Sequence, residues 1–163
     1  MSSSDRRKLL ALLGVLPLAA CGFTPVYGPG GAGSRLQNRL GFAAPADVLG
    51  FTLVSRLEDR LGRSDAPSHE LSYRIATADS DLAVTGSADV NRVNISGTVG
   101  FAVTELATGR VVQTGEVTTF TAYGTTGSPV ATLAARRDAQ ARLMTALADQ
   151  IVTRLMAGAA TWP

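Results

Sequence analysis

Val93-Asn94-Ile95-Ser96-Gly97-Thr98-Val99-Gly100-Phe101-Ala102-Val103-Thr104 is the stretch on which the fold turns. Val93, Ile95, Val99, Phe101 and Val103 fall on one side of an extended chain, while Asn94, Ser96, Thr98 and Thr104 fall on the other. Strict alternation of this kind marks an antiparallel strand with one face buried and one face wet. Ala107-Thr108-Gly109-Arg110 follows as a turn, with Gly109 free to take a positive φ. Val111 to Tyr123 then returns as a Thr-rich strand, so the two segments predict a long hairpin. Upstream, Leu71, Tyr73 and Ile75 alternate with Ser72 and Arg74 and supply a third strand.

Helical periodicity flanks this β region on both sides. Asp47 is placed to cap a helix in which Leu49, Leu53, Leu57 and Leu61 recur every fourth residue, with Val54 beside them and Gly62 as the stop. Gly124 to Gly127 breaks the last strand, and Ser128-Pro129 opens a second helix as N-cap and first-turn proline. On it Leu133, Met144, Leu147, Ile151 and Leu155 form an apolar stripe, and Ala134, Ala141 and Ala148 are read as small packing residues. At up to roughly 30 residues this helix would be about 45 Å long. Residues 35–43 carry a fourth, short strand. The expectation is a two-layer α+β domain, a four-stranded sheet packed by two helices in the order β-α-β-β-β-α.

Ahead of that domain the chemistry changes. Asp5-Arg6-Arg7-Lys8 is net basic, Leu9 to Leu16 is apolar but for Gly14, and Leu18-Ala19-Ala20 narrows to small side chains before Cys21. A positive end, a short apolar run and a small-residue exit are the pattern of a secretory signal, and the run is too short to span a bilayer. Leu18-Ala19-Ala20-Cys21 also resembles the bacterial lipobox, at which the signal is cut and the cysteine acylated. Residues 1–20 are thus expected to be a lipoprotein signal peptide. Residues 21–33, rich in Gly and Pro, are expected to be a lipidated tether. Residues 34–163 are the folded domain. Two or more acyl chains would give a lasting hold on a membrane.

Removal of the leader alters the charge. The chain has 15 Lys+Arg and 13 Asp+Glu, but residues after 20 keep 12 of each, and all 12 basic ones are arginine. A neutral mature chain offers no phosphate-binding patch, so nucleic acid is not an expected partner. Cys21 is the only cysteine, which leaves no internal disulfide.

Candidate chemistry is sparse. His69 is the only histidine, which rules out a histidine-based metal cluster or triad, and its place before a strand beside Glu70 reads as surface. Asp79 and Asp81 could suggest a carboxylate pair, but their Thr-Ala-Asp-Ser-Asp setting reads as a polar loop. The glycines at 28–33 have no lysine and follow no strand, so they do not form a phosphate loop. Neither an enzyme nor a cofactor is expected.

Cys21-Gly22-Phe23-Thr24-Pro25-Val26-Tyr27-Gly28 resembles the opening of the alphaproteobacterial LptE lipoproteins of lipopolysaccharide assembly. Thr121-Ala122-Tyr123, Ser128-Pro129-Val130-Ala131-Thr132, Arg137-Asp138-Ala139 and Leu147-Ala148-Asp149-Gln150-Ile151 resemble further segments of that family. Asn91-Arg92-Val93-Asn94 departs from its aromatic-rich hairpin start. The resemblance implies a lipid-anchored protein on the periplasmic side of the outer membrane. It would plug the LptD outer-membrane β-barrel and, with it, insert lipopolysaccharide into the outer leaflet. Arg74, Arg92 and Arg110 are read as solvated strand or turn residues, although arginines could also meet lipopolysaccharide phosphates. Two other classes stay open, an auxiliary lipoprotein of an envelope lipid-transport ABC system and a lipoprotein activator of a peptidoglycan-building enzyme.

Overall fold

The computed structural model describes residue 28, residues 31–82 and residues 92–162. In chain order these form α1 (Ala32–Leu36), β1 (Leu40–Phe42), α2 (Val48–Leu61), β2 (His69–Leu82), β3 (Arg92–Glu105), β4 (Val111–Gly124) and α3 (Pro129–Gly158), closed by a 3-10 turn at Ala159–Thr161. One sheet runs β1-β2-β3-β4, with β1 parallel to β2 and the other pairs antiparallel. This is the expected α+β order, four strands with two main helices, and the Gly109 turn takes its positive φ of 71°.

Four local readings change. Residues 35–43 are not one strand. Helix α1 begins at Ala32, the chain reverses at Asn38 with φ 59°, and only Leu40–Phe42 is extended. Leu36 and Leu40 are both buried, and the reversal lets both reach the core; asparagine is among the few residues that tolerate this backbone. Asp79 and Asp81 lie within β2, not a loop, because the whole run from His69 to Leu82 is paired in register with β3. Pairing along a neighbour overrides the weak strand preference of aspartate. Leu133 is 48% exposed. It sits fourteen residues before Leu147 and shares its side of the helix, so its exposure comes from a lack of covering residues among those described, not from its phase. Ala134 and Ala141 lie fourteen and seven residues before the buried Ala148 and share its side, yet they too are exposed; the buried stripe starts only at Ala139 and continues through Leu143, Met144, Leu147, Ala148, Ile151, Val152 and Leu155.

The helix ends follow ordinary capping chemistry. The Asp47 carboxylate accepts the Gly50 N–H at 2.7 Å and the Ser128 hydroxyl accepts that of Ala131 at 3.3 Å. Gly62 ends α2 at φ 81°, its N–H bonded to the Glu58 carbonyl.

Both helices lie on one face of the sheet. Leu53, Leu57 and Leu61 of α2, Leu71 of β2, Ile95, Val99 and Val103 of β3, and the α3 stripe are fully buried together. Each such side chain contributes roughly 1.5–3 kcal/mol by leaving water. Gly97 lets α3 come close, since a Cβ there would stand 2.9 Å from Leu143 and 3.0 Å from Leu147. Arg56 of α2 makes a two-pronged bond to Asp149 of α3, both contacts at 3.1 Å, and Arg60 adds a third at 3.5 Å. Past the bulge at Val112, which turns toward the core, the even-numbered residues of β2, β3 and β4 point the other way, onto a face with no helix over it among the described residues.

Candidate functional site

Cys21 and the preceding Leu18, Ala19 and Ala20 lie outside the described residues. Nearest to them is α1, which packs against α3 and the 3-10 turn at the C-terminal end. The described residues thus begin beside the C-terminal 3-10 turn, at the turn end of the β3–β4 hairpin, where Trp162 meets Gln113.

His69 is not a surface residue. It is 4% exposed, because β2 starts at the core edge beside Leu40 and Trp162 closes over it. The rings stack with centroids 5.1 Å apart, and His69 Nδ1 is 2.9 Å from the Ser68 hydroxyl. Trp162 Nε1–H donates to Gln113 Oε1 at 3.0 Å, and Gln113 Nε2–H donates to the Arg154 carbonyl at 2.9 Å. No spacing in the sequence links residues 93 positions apart; a tryptophan just before the terminus was the only signal. Buried polar atoms without a hydrogen-bond partner among the described residues are His69 Nε2 and the Tyr73 hydroxyl. Burial pushes the Tyr73 phenol above its usual pKa, and the nearby Asp47 charge adds to this.

Asp79 is held by Arg136 at 2.7 Å, which ties β2 to the first turns of α3. Asp81, two residues on, points to the same side of the strand. Among the described residues no three His, Cys, Asp or Glu side chains gather in a way that could hold a metal ion. No helix among them is long and apolar enough to cross a membrane. Arg74, Arg92 and Arg110 are all exposed, as their strand and turn positions suggested.

The features that remain are surfaces. On the uncovered sheet face Gly100 lies between Arg74 and Glu116 at the floor of an open depression of about 490 Å³. Phe120, on the same face, is 71% exposed. Val48 and Phe51 stand out from the start of α2 beside Pro45. A surface of this sort can meet another macromolecule; it assembles no nucleophile with a base to activate it.

Comparison with known proteins points to a lipoprotein family. The LptE family, described as lipopolysaccharide-assembly, matches residues 37–155. No curated protein matches. Among solved structures, a chain described as a lipoprotein from Caulobacter crescentus CB15 is similar at a TM-score of 0.68 and 22% identity, over 83% of this chain and all of that one. The rare lipoprotein B of Shewanella oneidensis aligns at 0.57 and 16% identity, over 74% of this chain and 94% of its own. A minor lipoprotein of Acinetobacter baumannii aligns at 0.55 and 18%, over 76% and 92%. Those identities speak for a shared fold, and the family match, which spans most of the chain, speaks for descent: this protein belongs to the LptE lipopolysaccharide-assembly family.

Proposed function

We propose that this chain is exported, acylated at Cys21, and held on the periplasmic side of the outer membrane. There it plugs an LptD-type β-barrel, and together they insert lipopolysaccharide into the outer leaflet. The observation that carries this reading is the LptE family match over residues 37–155.

Physical features support it. Four strands at about 4.8 Å and two layers about 10 Å thick give a cross-section of roughly 20 by 20 Å. That shape is too large for a small barrel, whose interior is filled by its own side chains, and suits the polar lumen of a large one. A plug must keep its shape without a lipid or membrane around it. Here one shared core joins the sheet and both helices, and the Arg56–Asp149 link holds the helices to each other. The charge-neutral mature chain fits engagement through area and shape more than long-range attraction.

The test is co-expression of the mature chain behind a cleavable, non-lipobox signal with a tagged LptD from the same organism. A stable complex is expected, because lumenal contacts supply the affinity and the acyl chains mainly localise the protein. Failure to recover it, with normal barrel folding in depleted cells, would favour the transport-system auxiliary instead.

A further inference from the structure

The uncovered face of the sheet complements its own rotated copy. Strand register lays Arg74, Gly100 and Glu116 in one row across β2, β3 and β4. The next rows are Ala76, Thr98 and Thr118, then Ala78, Ser96 and Phe120. Arg74 and Glu116 stand two strands apart, about 10 Å. Both are exposed, and neither has an ion-pair partner among the described residues. Between them Gly100 has nothing within 4 Å of the place a Cβ would take.

We propose that two copies of this chain pair through these faces, about a two-fold axis running along β3. Rotation about that axis carries β2 of one copy over β4 of the other. Arg74 of each then lies over Glu116 of its partner, and the largest side chain of the face, Phe120, lies over the small Ala78. Gly100 meets Gly100 at the axis, where the depression allows the closest approach. A two-fold across the strands through the same row would instead set Arg74 on Arg74 and Glu116 on Glu116 at the centre of the contact, which like charges disfavour. Arg92, the exposed charge of β3 itself, is eight residues or about 26 Å from Gly100 and falls beyond the paired rows. Aligned packing of two sheets about 10 Å apart, strands within about 30°, is an ordinary arrangement.

Desolvation is cheap on this face. The Ser96 hydroxyl donates to the Ala78 carbonyl at 3.1 Å, and those of Thr98 and Thr118 bond each other at 3.0 Å. These groups already have partners, so burying them leaves little unsatisfied. A strip about 14 Å wide and about 25 Å long is about 350 Å² per copy and about 700 Å² for the pair, below the ~1,000 Å² total at which stable specific interfaces begin, so the pair is weak and reversible. This inference does not depend on the barrel reading. If both hold, the barrel competes with the second copy.

Sedimentation velocity of the mature protein in mild detergent, over a wide concentration range, reads the pairing directly. A concentration-dependent dimer is expected. Arg74→Glu or Glu116→Arg alone should weaken it by about tenfold or more, and the double reversal in one chain should restore it. Phe120→Ala should weaken it too. Circular dichroism checks that each exposed substitution leaves the fold intact. A monomer at every concentration, a dimer indifferent to the single reversals, or a double reversal that fails to recover it would each overturn the proposal.

Discussion

His69, the first residue of β2, stacks against Trp162, which stands one residue from the chain's end, with 5.1 Å between ring centroids and 29° between planes. The contact closes the base of the domain, where the 3-10 turn, β4 and α1 also meet. Trp162→Ala removes the ring and leaves Gln113 Oε1 without its donor. For a half-buried aromatic a loss of about 2 kcal/mol is expected. His69→Phe keeps the stack and needs no partner for Nε2, so it should cost under about 1 kcal/mol. Urea melts of the three proteins measure both; equal losses would mean that the His69 polar atoms matter more than its ring.

Leu147 and Leu133 share one side of α3 but not one environment, being 0% and 48% exposed. Leu147→Ala should cost about 2–5 kcal/mol and Leu133→Ala well under 1 kcal/mol. The same melts decide, and a similar cost at both sites would show that the first turns of α3 are covered in solution.

Two glycines on opposite faces of the sheet should behave in opposite ways. At Gly115 a Cβ would stand 2.6 Å from the Phe101 ring, while at Gly100 it meets open space. Gly115→Ala forces the ring or the strand to move and is expected to cost about 1–3 kcal/mol. Gly100→Ala should be neutral or stabilising by up to about 1 kcal/mol, since it removes freedom from the unfolded chain. Thermal unfolding separates the two.

Asp149 accepts from Arg56 and Arg60, but all three side chains are a third or more exposed. Water and salt screen such a cluster. Asp149→Ala should therefore cost only about 0.5–1 kcal/mol, and the difference should shrink at high salt. A large, salt-insensitive loss would indicate that Asp149 is held for a packing reason.

Cys21→Ser removes the acylated thiol. Cells labelled with a fatty-acid probe should yield labelled wild-type protein and unlabelled variant, and the variant should retain its leader. Equal labelling of the two would end the lipobox reading.

The long hairpin, the capped helices and the fold class were legible because each depends on residues near one another in the chain. Alternation from Val93 to Val103 commits one face to burial, and a fourfold run of leucines commits a helix face, whatever lies opposite. The Gly109 turn was legible for the same reason; the lipobox is likewise read from a local string, and it lies outside the described residues. Family membership was legible only through resemblance, since it rests on segments spread along the chain and not on one local constellation of side chains.

Placement across the fold needed the tertiary structure. Single-residue spacing cannot say that β2 continues through Asp79 and Asp81, because those residues are extended only by the neighbour that pairs with them. Nor can it say that Leu133 lies open while Leu147, on the same side of the helix, is sealed; burial belongs to the pair of surfaces, and the sequence describes one of them. His69 looked exposed beside Glu70 because its cover, Trp162, arrives 93 residues later. Arg74, Gly100 and Glu116 fall into one row only once three strands are in register, and that register is set by turns and core contacts far from all three. Local pattern chose the elements, and the need to bury their apolar sides against one another chose everything between them.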